Sequence, residues 1–240
     1  EGPITGLPIS ATAEISLEGE LLPPEKELMQ EGPFGEWTGH YGIGKWQGRD
    51  LVFKVKSVMH RNEPIIQGNP PLLGEEGGVG GNLRKAAIIW DELDKQVPGV
   101  KGVWCPPQPG TCSMVIISLE QQYPGHAKQA ALAVAASKAA AYMLKMVMVV
   151  DEDIDPSNMD EVLWALGMRC DPQNSIDIIR DWWGSQTDPF LAPEKRARMD
   201  YTHSMAIISA CKPYYWIKEF PPTIKTTPEL LENIKNKWKI

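Results

Sequence analysis

The sequence predicts an α/β fold of the α+β kind, with a β-rich first part and a second part in which strands and helices alternate. Two observations support this prediction. Short stretches in residues 1–68 alternate apolar and polar side chains and are joined by loops rich in glycine and proline, a pattern typical of strands. Apolar, strand-like runs in residues 83–225 alternate with helix-like runs, and this alternation favours a sheet with parallel neighbours.

The first part should contain three strands. Residues Ile9–Leu17 and Leu51–Met59 both follow a period of two, so each fits a half-buried strand. Ile65 and Ile66 would form a short third strand. One face of the second strand would carry Leu51, Phe53, Val55 and Ser57.

Residues 69–82 predict a linker, because five glycines and two prolines interrupt any regular element there. No Gly-Lys-Ser/Thr triplet follows, so the segment is not a P-loop. Beyond the linker, helices are predicted over Leu83–Gln96, His126–Met146 and Met159–Leu166, the last with Ser157 or Asn158 as its N-cap. Strands are predicted over Gly102–Trp104, Ser113–Leu119 and Val147–Val150.

Residues 226–240 predict a final amphipathic helix that Pro228 opens. Its apolar side would carry Leu230, Leu231, Ile234 and Trp238. Two interpretations stay open for this side: it docks on a neighbouring subunit, or it docks on its own domain.

Composition excludes several functional classes. The net charge is −7 and no run of lysine and arginine forms a basic face, so nucleic-acid binding is not expected. The most apolar stretch, Ala130–Leu144, is interrupted by Ser137 and Lys138 and falls short of a membrane span. The four cysteines form no C-x-x-C pair, and no signal peptide is recognised. A cytoplasmic protein with reduced thiols is therefore expected.

The densest acidic feature in a loop is EGPFGE, at Glu31–Glu36. Its two glycines and its proline favour an unusual backbone path, which can turn the Glu31 and Glu36 carboxylates toward one point. Neighbouring carboxylates can divide proton transfer between them, because each raises the pKa of the other. Taken alone, the pattern also fits a solvated surface loop.

Other candidate residues are weaker. Trp37 and His40 adjoin the acidic loop and are candidates for a pocket wall, although a hydrogen-bonded loop role fits His40 as well. Arg169 follows a predicted helix and is expected to be structural, either as an ion-pair partner or as a cap for the last carbonyls of that helix. A run of acids contains Asp151, Glu152, Asp153 and Asp155. Two explanations stay open for it: a cation site, or the end of a strand followed by the cap of the next helix.

Several motifs, in one consistent order along nearly the whole chain, resemble those of the UbiD family of decarboxylases. The acidic loop lies between two of them, AEISLEG before it and TGHY after it. The further motifs are YPGHA at Tyr123–Ala127, VVDEDIDP at Val149–Pro156, EVLWALGMRCDP at Glu161–Pro172 and MDYT at Met199–Thr202.

This resemblance implies a fold and a cofactor. Residues 1–68 would be the end of a flavin-reductase-like split β-barrel, and residues 83–225 a C-terminal α/β domain. The cofactor would be prenylated FMN, held with a divalent metal such as Mn²⁺ and with K⁺. The activity would be a reversible decarboxylation of an aromatic, heteroaromatic or α,β-unsaturated acid through an adduct with the cofactor.

The resemblance also implies roles for residues. Glu36 matches the acid that protonates the product carbon, and Glu31 matches its partner carboxylate. The arginine that bridges them in the family, and the residues that hold cofactor and metal, should lie upstream of Glu1. The metal ligands are therefore not expected in this chain, and an upstream polypeptide or a separate subunit would complete the site in a homo- or hetero-oligomer.

A rival hypothesis stays open. The chain could be a non-catalytic assembly subunit, or an isolated oligomerisation domain of such an enzyme. The apparent absence of an upstream part and the apolar terminal helix favour this reading. The presence of both Glu31 and Glu36 speaks against it, because an assembly subunit has no need of them.

Overall fold

The computed structural model describes residues 1–36, 38–42, 49–68, 78–107 and 113–239, and of residues 78–81 and Pro228 it describes the backbone alone. None of the described helices is long and apolar enough to cross a membrane. Helices and strands both contribute, in agreement with the predicted α/β class.

The first part consists of short antiparallel strand pairs. Its strands are β1 (Ile15–Leu21), β2 (Leu28–Gln30), β3 (Phe34–Gly35), β4 (Tyr41–Gly42), β5 (Arg49–Leu51) and β6 (Phe53–His60). They pair as β1 with β6, β2 with β5, and β3 with β4. The predicted strand Leu51–Met59 is confirmed by β6, whereas only Ile15–Leu17 of the predicted strand Ile9–Leu17 lie in a strand, and Ile65 and Ile66 form none.

The β1–β6 ladder contains a bulge that keeps one face apolar. Leu17 pairs with Val58, but one residue pair further on the register shifts and Gly19 pairs with Val55, so that Lys56 is the extra residue on β6. Lys56 forms an ion pair with Glu20. The shift corrects the predicted face of β6, because Val58 joins Phe53 and Val55 and Ser57 does not. The resulting open apolar face comprises Ile15, Leu17, Leu21, Phe53, Val55 and Val58.

The second part is built on a five-stranded mixed sheet in the order β10-β11-β9-β8-β7. Its strands are β7 (Val100–Trp104), β8 (Met114–Leu119), β9 (Met146–Asp151), β10 (Ile176–Trp182) and β11 (His203–Ala210). The helices are α1 (Gly78–Asp94), α2 (His126–Ala136), α3 (Met159–Arg169), α4 (Pro172–Ser175), α5 (Pro193–Ala197) and α6 (Pro228–Trp238). The central strands β8, β9 and β11 run parallel, and both edge strands are antiparallel to their neighbours.

The core lies on both faces of this sheet. Strand β8 is buried along its whole length, and its alternate residues enter opposite clusters. Val115 and Ile117 pack in the cluster that includes α1 and α2, whereas Ile116 packs in the cluster that includes α3. A strand covered on both faces reads as a continuous apolar run, which is why its sequence predicted a buried strand.

Several predicted element bounds were wrong. Helix α1 begins at Gly78, inside the predicted linker, whose residues 69–77 lie outside the described part of the chain. Helix α2 ends at Ala136, ten residues before the predicted end, and Ser137 is its C-cap with an extended backbone. Strands β10 and β11 were not predicted. The N-cap of α3 is Asn158, whose side chain accepts from the Asp160 and Glu161 N–H groups, so one of the two predicted caps is confirmed.

The terminal helix α6 begins as predicted, with Thr227 as its N-cap and Pro228 in its first turn. Its apolar side chains remain exposed: Leu230, Leu231, Ile234 and Trp238 are 51%, 45%, 39% and 67% accessible. Docking on its own domain is therefore not observed among the described residues. Docking on a neighbouring subunit stays a prediction.

Candidate active site

The acidic loop Glu31–Glu36 connects two antiparallel strand pairs. Glu31 directly follows β2 and is exposed. The Gly32–Pro33 peptide bond is cis, and Gly32 has a φ of 81°, a backbone conformation that favours glycine. Phe34 and Gly35 then form β3, which pairs with Gly42 and Tyr41 of β4. The loop therefore follows the unusual path that its composition predicted.

Glu36 directly follows β3 and starts the turn toward β4. The two strands and this turn are called here the Glu36 hairpin. The backbone N–H of Glu36 donates to the His40 carbonyl at 2.9 Å, and its own carbonyl accepts from the Gly39 N–H at 2.9 Å. Two backbone hydrogen bonds thus fix the residue that carries the carboxylate. The Glu36 side chain is half-buried, whereas Glu31 is exposed.

Gly42 makes room for the Glu36 side chain. A Cβ atom at position 42 would lie 2.7 Å from Cγ of Glu36, closer than van der Waals contact allows. Glycine opposite the carboxylate therefore lets Glu36 lie against the β4 backbone. Sequence reasoning missed this residue; its only signal was a glycine six positions after the glutamate.

His40 is exposed, and its Nδ1 lies 2.9 Å from the Thr38 carbonyl within the turn. This contact agrees with the hydrogen-bonded loop role, in which the ring donates to that carbonyl. Trp37, the other candidate for a pocket wall, lies outside the described residues. The apolar neighbours are accessible, since Tyr41 is 82% and Phe34 38% exposed. The hairpin is thus open to solvent.

Glu18, in the AEISLEG motif, has a structural role that sequence reasoning missed. It is buried, and its carboxylate accepts hydrogen bonds from the Thr5 N–H and hydroxyl at 3.1 and 2.8 Å and from the Ile4 N–H. Burial raises the pKa of Glu18, but these hydrogen bonds outweigh it and hold the pKa below its ordinary value. Glu18 therefore anchors the opening segment on β1.

The second acidic feature is an ion-pair network, called here the Arg169 cluster, of Asp151, Asp153, Arg169 and Lys212. Arg169 is buried and donates to Asp151 at 2.9 Å and to both Asp153 oxygens at 2.7 Å. The Lys212 N–H donates to Asp151 at 2.8 Å, and its ammonium lies 3.3 Å from Asp153. Of the two structural roles expected for Arg169, ion pairing is the one that is confirmed.

The same cluster contradicts the cation-site hypothesis for the acidic run. Two cations balance the two carboxylates, so Asp151 and Asp153 have no charge left to offer a metal. Hydrogen bonds from Arg169 hold the pKa of Asp153 well below its ordinary value. Burial raises the pKa of Asp151, against the hydrogen bonds from Lys212 and Gln121. Across the described residues, no group of three His, Cys, Asp or Glu side chains could hold a metal ion.

Burial raises the pKa of two described cysteines, Cys170 and Cys211, and so disfavours their nucleophilic form. Cys105 and Cys211 are buried, and Cys112 lies outside the described residues. Burial raises the pKa of the Cys211 thiol well above its ordinary value, so the thiol form persists and the nucleophilic thiolate does not form at neutral pH.

Two family models match the chain in order. The model of the 3-octaprenyl-4-hydroxybenzoate carboxy-lyase Rift-related domain, UbiD, matches residues 1–72. The model of the C-terminal domain of the same carboxy-lyase matches residues 79–210. The boundary between the two matches falls within the predicted linker.

Solved structures give the same result. The UbiD-class enzyme HmfF from Pelotomaculum thermopropionicum, in complex with FMN, is 29% identical over 93% of this chain and 46% of its own, with a TM-score of 0.73. The vanillic acid decarboxylase of Sedimentibacter hydroxybenzoicus in its closed form is 29% identical over 94% and 45%, with a TM-score of 0.66. An evolved dimeric form of HmfF in complex with prFMN is 26% identical over 93% and 44%, also at 0.66. The chain thus spans less than half the length of these proteins.

Proposed function

The chain belongs to the UbiD family, and on this premise we propose that it is the C-terminal part of a reversible decarboxylase. Its substrate would be an aromatic, heteroaromatic or α,β-unsaturated carboxylic acid. The single observation that carries the proposal is the Glu36 hairpin, in which two backbone hydrogen bonds and the space at Gly42 place one half-buried carboxylate.

Glu36 would act as the general acid. When CO2 leaves a carboxylic acid, the C–C bonding electron pair stays on the carbon, and a proton must reach that carbon to complete the product. Glu36 would deliver this proton and keep the negative charge as its carboxylate. In the carboxylation direction, the same carboxylate would take the proton from the carbon.

Glu31 would be the orienting partner. It is separated from Glu36 by the short segment 32–35, in which the positive φ of Gly32 and the β3 strand define the path between the two glutamates. Two carboxylates on one short segment can share hydrogen-bond donors from a partner chain, and an arginine suits such a role because its planar fork binds carboxylates in pairs. Arg49 of β5 donates to the Leu28 carbonyl instead.

The cofactor of the proposal is prenylated FMN. When bound, it supplies an electron sink for the pair that CO2 leaves behind. The described residues do not form the cofactor site by themselves. Glu31, at the start of the acidic loop, is exposed, and no three potential metal ligands lie together among the described residues. The contacts to the flavin, to Mn²⁺ or another divalent metal and to K⁺ are therefore assigned to an upstream polypeptide or a separate subunit.

The substitution Glu36→Gln tests the proposal. The amide keeps the shape of the side chain and cannot donate an acidic proton, so turnover should fall by at least about 10²-fold. Melting temperature and flavin content should stay close to those of the parent protein. The assay measures CO2 release from a panel of aromatic acids, the class to which vanillic acid belongs.

Glu63→Gln is the matched control, because Glu63 is an exposed glutamate in the same part of the chain. It should leave turnover unchanged. Full activity of the Glu36→Gln protein would remove Glu36 from the mechanism.

One observation favours a second function. The open apolar face and the exposed side of α6 are surfaces that suit subunit packing, so a non-catalytic assembly subunit or oligomerisation domain is the alternative. This alternative predicts that a purified complex decarboxylates an acid equally well with and without the substitutions Glu31→Gln and Glu36→Gln.

Under the first proposal, the decarboxylase would act in the cytoplasm as a homo- or hetero-oligomer.

A further inference from the structure

A cavity of about 560 Å³ lies in the second part of the chain, beside the edge strand β10. This volume is within the range that small ligands occupy in proteins. Six of the residues that line it supply its cationic, aromatic and apolar surface: Lys145, Ile178, Arg180, Phe190, Lys195 and His203. None of them belongs to the Glu36 hairpin or to the Arg169 cluster.

A β-bulge shapes the wall of this cavity. Ile179 pairs with Met205, but Trp182 pairs with His203, so Arg180 and Asp181 together stand opposite Ser204. Asp181 has a φ of 56°, a left-handed backbone that non-glycine residues adopt at a cost. Bulges change the direction of side chains at functional places in sheets. Here the bulge coincides with the residues that reach the cavity.

Arg180 is the uncommitted cation of the cavity. It is exposed, and no described residue accepts a hydrogen bond from it or forms an ion pair with it. A guanidinium has five N–H donors in a planar fork that matches a carboxylate. All five are available to a ligand.

The two lysines of the cavity differ in how far they are committed. Lys195 donates to the Thr202 carbonyl and hydroxyl at 2.7 and 2.9 Å and lies 3.5 Å from Asp200, so its three donors are engaged. Lys145 pairs with Asp188 at 2.8 Å and has a side chain that is 30% accessible. An ammonium carries three donors, and Lys145 therefore has N–H groups to spare.

An aromatic ring provides the apolar wall. Phe190 is 85% exposed, and its ring centroid lies 5.7 Å from the Lys145 ammonium. Ile178, on the neighbouring strand, is 61% exposed. A flat apolar group that packed on Phe190 and Ile178 would bury both exposed surfaces, and aromatic rings favour offset stacking on one another.

The charge of the lining selects the sign of the ligand. Lys145, Arg180 and Lys195 outnumber Asp181 and Asp188, the acids of the same cavity, although the whole chain is acidic with a net charge of −7. Local potential, rather than net charge, decides which small ion enters a cleft. The geometry points to a binding site for an aromatic carboxylate, whose carboxylate pairs with Arg180 and whose ring stacks on Phe190.

Calorimetric titration of the full assembled protein with sodium benzoate tests the assignment. The parent protein should show saturable binding with a millimolar dissociation constant that the neutral analogue benzamide does not reproduce. Arg180→Gln and Phe190→Ala should each weaken binding at least about tenfold, by loss of the charged pair and of the stacked ring respectively. Both residues are exposed, so neither substitution removes core packing.

Arg84→Gln is the matched control, because Arg84 is an exposed arginine on α1, and it should bind benzoate as the parent does. Equal affinity in Arg180→Gln would overturn the site. A second result would also overturn the site: inorganic phosphate binds the parent as tightly as benzoate does, and Phe190→Ala leaves the affinity for benzoate unchanged. The titration is repeated with Glu36→Gln, which should bind benzoate as the parent does although it loses turnover. The benzoate site and the proposed decarboxylase function are thereby tested independently.

Discussion

At the scale of single residues, the proposed chemistry depends on one acid, Glu36, and on the glycine opposite it, Gly42. Glu36 carries the proton in the proposed reaction, and Gly42 leaves the space in which its side chain lies. Two backbone hydrogen bonds, one to the His40 carbonyl and one from the Gly39 N–H, hold the backbone of Glu36 and not its side chain. The position of the carboxylate is therefore sensitive to the residue across the hairpin.

Gly42→Ala should reduce kcat by at least about tenfold and change KM little. The new methyl group would displace the Glu36 side chain, and displacements of about 1 Å can cost about 10²-fold in rate. Steady-state kinetics on the substrate of the complex check this, together with the melting temperature. Gly68→Ala is the control, because a Cβ at Gly68 meets no atom within 4 Å. An equal loss in both variants would contradict the positioning role.

Single residues also show where sequence reasoning reached its limit. A structural role for Arg169 was predictable from its place at the end of a predicted helix, and the structure shows that the role is ion pairing with Asp151 and Asp153. The cation-site hypothesis for the acidic run was wrong because Lys212, 61 residues away from Asp151, lies beside it only in the folded sheet. Local charge density does not reveal a partner that arrives from another strand.

At the scale of elements, long-range packing overrode local preference. The alanine-rich run after His126 favours helix throughout, but the helix stops at Ala136, where Ser137 takes an extended backbone and its hydroxyl accepts from the Ala140 N–H. Strand β10 escaped prediction because the bulge at Arg180 and Asp181 breaks its period of two. Strand β8 was predicted because burial on both faces leaves a run of four apolar residues, Met114–Ile117, with only Ser118 polar before Leu119.

Helix α2 gives the second part a pH dependence. Its first residue, His126, is fully buried, stacks on Tyr123 at 4.1 Å between ring centroids, and accepts at Nδ1 from the Gln122 N–H. Burial lowers the pKa of His126, and the nearby Pro98 carbonyl offsets only part of this fall. Nε2 forms no hydrogen bond of good geometry among the described residues. The folded state thus holds the ring neutral.

The free energy of unfolding should therefore fall as the pH drops below about 6.5, the ordinary pKa that the ring regains on unfolding. Above that pH both states are neutral and the contribution is fully present. His126→Gln should be less stable than the parent at pH 7.5 and should lose less stability between pH 7.5 and 5.5. Urea unfolding at a series of pH values measures this. His60→Gln, at an exposed histidine, should keep the slope of the parent; an unchanged slope in His126→Gln would refute the assignment.

At the scale of the whole molecule, the two parts differ in how far their apolar side chains are buried. The second part has a continuous core on both faces of its sheet. The first part leaves the open apolar face accessible, with side chains 37% to 63% exposed. Covering six such side chains would contribute on the order of 5–10 kcal/mol. That magnitude is typical of a surface against which further polypeptide packs.

A native mass spectrum of the purified protein should therefore exceed copies of the 26.7 kDa chain. The excess should correspond to polypeptide that covers the first part, together with a prenylated flavin. Copies of this chain alone, without flavin, would contradict the composite site and favour the assembly-subunit alternative. Denaturing mass spectrometry of the same sample serves as the control, because it separates a longer single chain from two different ones.

The bulge at Lys56 has a consequence for how this protein tolerates insertion and deletion. Because side chains alternate along a strand, a single extra residue exchanges inside and outside for everything beyond it, and here that exchange joins Val58 to Phe53 and Val55. Deleting Lys56 would restore an unbroken ladder and keep Val58 on the face of Phe53 and Val55, because Val55, Ser57 and Val58 would then alternate regularly. A gap of one residue at position 56 thus preserves the apolar face, whereas a gap of one residue between Phe53 and Val55 would put these two side chains on opposite faces.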